Sequence, residues 1–360
     1  MEGLSNLSKT AFDLSRKLRS APTNHTFDTL SVIEDNHGNT TIEEKKSTES
    51  EVTAWAASKS SNIPLMLIRL DPEEGPGATL QVSQSLFSSL ITGFRANLAA
   101  LYMIVHDYDG FHSIPEDNNG PYLPTWFVGT PLYAVMWTFD TKLNRASAIF
   151  INRRLDSFSK LVKMLEEFKN LAYAPHLVGF TIAVHQLHHF DSDTSGSDLH
   201  RIKEVETKTG FSPWSDNSTG QQHPGSKAFT FSVTELAKHL RNIREISGQL
   251  ANKIRHLKTS QDMLDAVLID KAKPKAANSV PTKHETSLKA LREAVPIVQK
   301  QTEACVEHMV YLQHRTERLA EVVSANYFLR SSITSTLIVA PADIVLAFCT
   351  HRACRCRCSH

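Results

Sequence analysis

Two tracks of residues spaced alternately three and four apart, over residues 233–268 and 288–323, constrain this chain more than any other feature. The first reads Val233, Leu236, Leu240, Ile243, Ser247, Leu250, Ile254, Leu257, Gln261, Leu264 and Leu268. The second reads Leu288, Leu291, Val295, Val298, Thr302, Cys305, Met309, Leu312, Thr316, Leu319 and Val323. A mean spacing of about 3.5 residues, held over about five heptads, is the pattern of helices that wind around each other along one apolar seam. Each track also has a start signal. Ser232 with Glu235 and Thr282 with Glu285, the latter just after Pro281, have the spacing of a capping box. The connection over residues 270–281 (DKAKPKAANSVP) holds two prolines that a continuous helix would reject. The expected structure is an antiparallel coiled-coil hairpin over residues 228–325, with arms roughly 54 Å long at about 1.5 Å per residue. Pro296, off the seam but inside the second arm, predicts a kink or break there. A globular helical bundle fits the same periodicity, but the short connection and matched arms favour the hairpin.

Upstream the signals change. Residues 1–60 are rich in Ser, Thr, Asn, Glu and Lys, which predicts a mostly disordered segment with one strand and a turn in FDTLSVIEDNHG. A short amphipathic helix also fits the first residues. The run IPLMLIRL (63–70) reads as a strand, and residues 83–95 have helical spacing at Leu86, Leu90, Ile91 and Phe94. Residues 107–124 read as a loop. Residues 132–153 predict a β-hairpin, LYAVMWTF and ASAIFI around the polar segment 140–145. Two helices follow, one with Leu155, Phe158, Leu161, Leu165 and Phe168 on one face, the next running from about Pro175 to Phe190. Residues 191–200 and 215–227 read as polar linkers. The fold class is therefore α+β, an α/β domain over 61–227 followed by the helical hairpin.

With 39 basic and 38 acidic side chains the net charge is +1. That balance offers no field to attract nucleic acid or an anionic membrane. The N-terminus lacks the apolar core of a secretory signal. Cys305 stands alone and the other four cysteines crowd residues 349–358, so the body reads as reduced and cytoplasmic.

Three segments resemble one family. YLQHRTERLAEVVSA (311–325) is similar to the stalk-helix segment of fungal CorA-like proteins, relatives of the CorA magnesium transporters. WTFDTKLNRASAIFINR (137–153) resembles the aromatic strand, Asp-containing turn and second strand of their cytosolic domain. VETKTGFSPW (205–214) resembles a Glu-x-x-Thr-Gly-x-x-Pro-Trp segment ahead of their long helices. The resemblance spans about 63–325. It implies an α/β cytosolic domain, long helices, and then a transmembrane pair joined by a Gly-Met-Asn loop that selects hydrated magnesium. This chain has no Gly-Met-Asn and no pair of apolar segments of about 20 residues.

The tail, residues 326–360, departs from that pattern. Its apolar part, 331–349, approaches the length of a membrane span. Asp343 near its middle costs roughly 3 kcal/mol on insertion scales, which about cancels the gain from its large apolar residues. The last residues offer Cys354, Cys356, Cys358 and His360 as metal ligands, with Cys349 and His351 nearby. Thiolate and imidazole suit zinc or Cu(I), but the spacing is not that of paired structural-zinc ligands and the intervening arginines repel a cation. Palmitoylation is a further use of these cysteines. A truncation product is the remaining reading of the tail. Elsewhere, His185, His188 and His189 share a helical face, and Asp107, Asp109 and Asp117 crowd one loop. A metal at the histidines lacks a carboxylate or cysteine partner in sequence, and the aspartates lack the regular ligand spacing of a calcium loop.

No nucleotide-binding loop, nucleophile elbow or zinc-protease motif occurs. The sequence therefore predicts a non-catalytic protein without cofactor, truncated before a pore and not transporting magnesium by itself. Its partners would be itself or full-length relatives. Association would run along a seam of Leu236, Leu240, Ile243, Leu250, Ile254, Leu257, Leu291, Val295, Val298, Met309, Leu312 and Leu319. The alternative is a coiled-coil scaffold unrelated to ion transport, tail-anchored to a membrane through 331–349.

Overall fold

The computed structural model describes residues 2–15, 17–22, 24–60, 62–73, 79–116, 120–153, 157–209, 232–269 and 282–339. The elements run α1 (Glu2–Leu14), β1 (Leu18–Arg19), β2 (Phe27–Glu34), β3 (Thr40–Ser47), α2 (Glu49–Ala56), β4 (Leu65–Leu70), β5 (Leu80–Gln81), α3 (Gln84–Gly93) and α4 (Ala100–Val105). They continue with β6 (Gly110–Ile114), β7 (Thr125–Gly129), β8 (Tyr133–Asp140), β9 (Arg145–Asn152), α5 (Ser157–Phe168), α6 (Leu177–Asp193), α7 (Leu199–Thr209), α8 (Val233–Ile269) and α9 (Lys283–Val339). The fold is mixed α+β, a sheet-rich N-terminal region followed by two long helices that pack together.

The chain divides into two compact units. The first comprises Met1–Phe190 with Arg255–Val306, the second Asp191–Ile254 with Glu307–His360. Both units are discontinuous, in contrast to the expected boundary near residue 227. The physical reason is that the later part of α8 and the beginning of α9 contribute to the core of the sheet domain.

In the first unit a seven-stranded sheet has the order β3-β2-β4-β9-β8-β7-β6. Its pairs are antiparallel except β4 and β9, which run parallel with Leu65 opposite Ala146 and Leu70 opposite Ile151. Because side chains alternate along a strand, β8 feeds two cores. Tyr133, Val135, Trp137 and Phe139 join one core with residues of α5, α6, α8 and α9. Ala134 and Met136 join the other, with residues of α1, α2, α3 and α4. Helices thus cover both faces, which explains why the central strands are apolar on both sides. Trp137 stacks on Trp126 at 5.9 Å and donates from Nε1 to the Pro175 carbonyl at 3.2 Å. Gly179 of α6 makes room there, since a Cβ would lie 3.0 Å from the Trp137 ring, tighter than an ordinary contact.

The predicted β-hairpin forms as β8 and β9, with Asp140 paired to Arg145 and the Asp140 carboxylate accepting from Lys142 N at 2.8 Å. Helix α3 starts at the Ser83 hydroxyl, which accepts from Leu86 N at 3.0 Å. Both predicted capping boxes are present. Glu235 N donates to Ser232 Oγ at 3.2 Å and Ser232 N to Glu235 Oε2 at 2.8 Å. Thr282 and Glu285 make the same reciprocal pair at 3.3 and 2.8 Å.

Four expectations need correction. Residues 1–60 carry two helices and two long strands rather than mostly disorder. Their polar composition misled because β3 is an edge strand, largely exposed, where charged residues are the norm. Within the expected loop 107–124, Gly110–Ile114 pairs with β7 as the opposite edge. The expected linker 191–200 is helical: a π-turn, Thr194–Asp198, joins α6 to α7. Two of its polar residues, Thr194 and Asp198, are buried, and buried Lys253 binds Asp198 at 2.6 Å and also pairs with the exposed Asp193. Finally, the break expected as one outcome at Pro296 does not occur, since α9 is a single helix through it. Pro296 is exposed, on the side of α9 away from its buried stripe.

Early α8 meets late α9 in the second unit, where Leu236 and Ile243 cluster with Leu319 and Val323. Late α8 meets early α9 in the first unit, where Arg292 Nε donates to the Val267 carbonyl at 3.3 Å and Gln299 Nε2 to Asp265 at 2.7 Å. The two helices therefore run antiparallel. The connection 270–281 and the second predicted linker, 215–227, lie outside the described residues.

Candidate functional site

The residues expected to form an association seam are placed inside the chain. Leu236, Ile243, Leu250, Ile254, Met309, Leu312 and Leu319 are buried in the second unit, with Leu240 partly so. Leu257, Leu291 and Val295 are buried in the first, with Val298 packed against its core. Cys354, Cys356, Cys358 and His360 lie outside the described residues, as does Asp117. Among the described residues no group of three His, Cys, Asp or Glu side chains is placed to hold a metal ion. None of the described helices is long and apolar enough to cross a membrane.

The first unit holds a cavity of about 570 Å³ where the parallel strands β4 and β9 end. Ligands of open sheets bind beyond the carboxyl ends of parallel strands, where the backbone diverges and leaves space. Leu80, Ile104, Ala134 and Ile151 give it an apolar floor, and Lys17, Glu73, Asp107, Asp109 and Arg153 a charged rim. Most of those charges are committed. Lys17 pairs with Asp107, Arg19 with Glu73 at 2.7 Å, and Arg153 with Asp109 at 2.6 Å. Arg153 also donates to the carbonyls of Thr130 at 2.8 Å and Tyr108 at 3.1 Å.

Asn152, buried at the end of β9, lines the same cavity. Its Nδ2 donates to Asp71 Oδ1 at 3.1 Å, which fixes the amide orientation, and its Oδ1 carries no hydrogen bond. The loop beside it is conformationally demanding. Asp107 has φ of 47° and Gly110 of 130°. A Cβ at Gly129 would sit 1.7 Å from the Tyr108 carbonyl oxygen. Of the aspartates noted in sequence, Asp107 and Asp109 thus come to one rim. Lys17, Glu73 and Asn152 were missed. Their only signal is a polar Asn-Arg pair directly after an apolar strand, and its meaning depends on β9 lying parallel to β4.

A second polar group lies between α6 and α8. His185 is buried, with Nδ1 2.8 Å from the Tyr133 hydroxyl and Nε2 unbonded. Gln186 Oε1 accepts from Ser260 Oγ at 3.2 Å while its Nε2 is unbonded, and buried His256 has an unbonded Nδ1. Burial, then the nearby His189, Lys160 and His188 charges, pushes His185 down to about 4. Burial, then Arg255, does the same to His256. His188 is exposed, so the three helical histidines do not converge on one site.

In the second unit, Arg315 of α9 clasps buried Glu206 of α7 through Nε and Nη2, both at 2.6 Å. That hydrogen bonding raises the Arg315 pKa against the opposing effect of burial. Such paired geometry holds α7 and α9 together.

No family model matches the chain, and no curated protein matches it.

Proposed function

We propose that the chain is a non-catalytic module of the CorA-like cytosolic type. On this reading an α/β domain carries an antiparallel coiled-coil hairpin, which self-associates or pairs with longer relatives that bear a pore. It does not transport magnesium by itself. The observation that supports the reading is the reach of α9. This helix runs 57 residues and stays helical beyond Val323, the last buried position of its track. Its outer side exposes Ile297, Tyr311, Phe328 and Leu329.

Because the inward seam is spent on intramolecular packing, association uses that outer side. Sedimentation velocity of the full chain tests this over about 1–100 µM. The expected result is a reversible oligomer, which Ile297→Glu combined with Leu329→Glu returns to monomer. A chain that stays monomeric throughout, or an oligomer indifferent to both substitutions, overturns the reading.

A further inference from the structure

We propose that the cavity between α1, α3 and α4 binds an uncharged, largely apolar small molecule, with α1 as the lid over it. The inference is independent of how the chain assembles.

The cavity measures about 380 Å³, the size of a small-molecule site. Phe12 of α1, stacked on Phe87 of α3 at 5.1 Å, lines it together with Ile91 and Leu101, all four buried, and with half-buried Leu98. Helix α1 is anchored shallowly. Of its described side chains only Ser8 and Phe12 are buried, while Leu7 and Leu14 are 56% and 80% exposed. Elements that bury so few apolar contacts open locally before the core does. Outward movement of α1 withdraws Phe12 and makes the apolar depth of the cavity reachable, with the sheet undisturbed.

Charge selects a neutral ligand. The lining holds Lys9, Arg95 and Asp13, but Arg95 is spent, with Nη1 on Asp140 at 3.3 Å and Nε on the Pro121 carbonyl at 2.7 Å. With Asp140 counted, two cations meet two carboxylates. Lys9 and Asp13, both exposed and one turn apart on α1, offset each other at the mouth, where water weakens ionic contacts. An ammonium or carboxylate entering the cavity therefore sheds its hydration with no buried counter-ion to replace it. An alcohol loses little, because the Ser88, Thr92 and Tyr122 hydroxyls of the lining offer hydrogen bonds. Its hydrocarbon body gains by leaving water for the phenyl and aliphatic lining.

Cyclohexylmethanol, cyclohexylmethylamine and cyclohexanecarboxylate share one carbon skeleton and separate the three chemistries. Each is titrated into the full chain and followed by saturation-transfer NMR, with circular dichroism confirming the fold of every variant. The alcohol is expected to saturate with a Kd of about 1–5 mM, and both ions to bind about tenfold more weakly or not at all. Hydrogen exchange read by mass spectrometry locates the site: about 10 mM alcohol should slow exchange over Glu2–Leu14 about threefold or more. Thr92→Trp, at an exposed position of α3 in the lining, fills the cavity mouth and raises the alcohol Kd about tenfold. Leu98→Gln raises it about threefold and decides the matter if Thr92→Trp does not fold. Either ion binding as tightly as the alcohol overturns the proposal. So does an alcohol affinity unchanged in the folded variants, exchange in α1 indifferent to saturating alcohol, or no saturation below about 20 mM.

Discussion

Helices α8 and α9 carry tracks of equal regularity in sequence, yet they are buried in different ways. Along α9 the buried positions are Leu288, Leu291, Val295, Thr302, Cys305, Met309, Leu312, Thr316, Leu319 and Val323, with Ser287 beside the first. That is a single stripe. The first half of α8 is similar, with Leu236, Ile243, Ile246 and Leu250 buried. From Lys253 onward the stripe doubles: Lys253, Ile254, His256, Leu257, Thr259, Ser260, Met263, Leu264 and Val267 are all buried. A helix touched by one neighbour hides one stripe, whereas one wedged into a core hides a wide arc. A heptad track therefore identifies one contact of a helix and is silent about a second.

The comparison breaks most visibly on truncation of leucines from the two halves of α8. Leu264 is fully buried in the sheet core, while Leu240 only flanks the small cluster of the second unit. Leu264→Ala is expected to cost about 3–4 kcal/mol through lost transfer energy and an unfilled cavity. Leu240→Ala should cost about 1 kcal/mol, since a partly exposed side chain has less to lose. Urea unfolding followed by circular dichroism measures both. Equal costs would mean that late α8 is no more embedded than early α8.

Much of this was legible in the sequence, for identifiable reasons. The hairpin of β8 and β9 announced itself through β-branched and aromatic runs around an Asp-containing turn. The capping boxes at Ser232 and Thr282 are local chemistry, and local chemistry can be read in one dimension. What escaped depends on partners far away in sequence. Edge strands β3 and β6 look like loops because their exposed positions carry Glu, Lys, His and Ser. The π-turn at Thr194–Asp198 looks like a linker because Lys253, which neutralises it, lies more than fifty residues further on. The cavity beside Asn152 escaped for the same reason, since it requires strands β4 and β9 to be neighbours.

Acid should expose the polar side of late α8. His256, beside Arg255, Asp109 and Arg153, and His185, beside His189, Lys160 and His188, are each held near 4 against an ordinary 6.5. A depressed histidine pKa means that the unfolded chain binds more protons between those values. Stability therefore rises with pH across the window from about 4 to 6.5 and is lost on acidification. Two such groups give a slope approaching about 2–3 kcal/mol per pH unit. Glu34 adds to it at the acid end, because hydrogen bonds from Lys283 and Tyr173 hold its carboxyl low. Unfolding midpoints measured at several pH values give the slope, and His256→Phe should reduce it by about half. A slope that does not change would place the acid sensitivity outside α8.

The finest test concerns a single residue step. The regular track puts Leu268 on the seam and leaves Val267 off it. In the structure Val267 is fully buried in the sheet core, while Leu268 is 42% exposed. The offset follows from the wide arc of late α8, because the sheet core draws in positions that a two-helix seam would leave outside. Val267→Ala is expected to cost about 2 kcal/mol, and Leu268→Ala, though it removes more atoms, no more than about 0.5 kcal/mol. The pair shares one helix turn, and because β-branched Val is the poorer helix former, Val267→Ala gains a few tenths of a kcal/mol more propensity than Leu268→Ala, so a larger loss at Val267 reports burial against that bias. The reverse ranking would restore the simple seam at this end of α8 and remove the sheet core from its contacts.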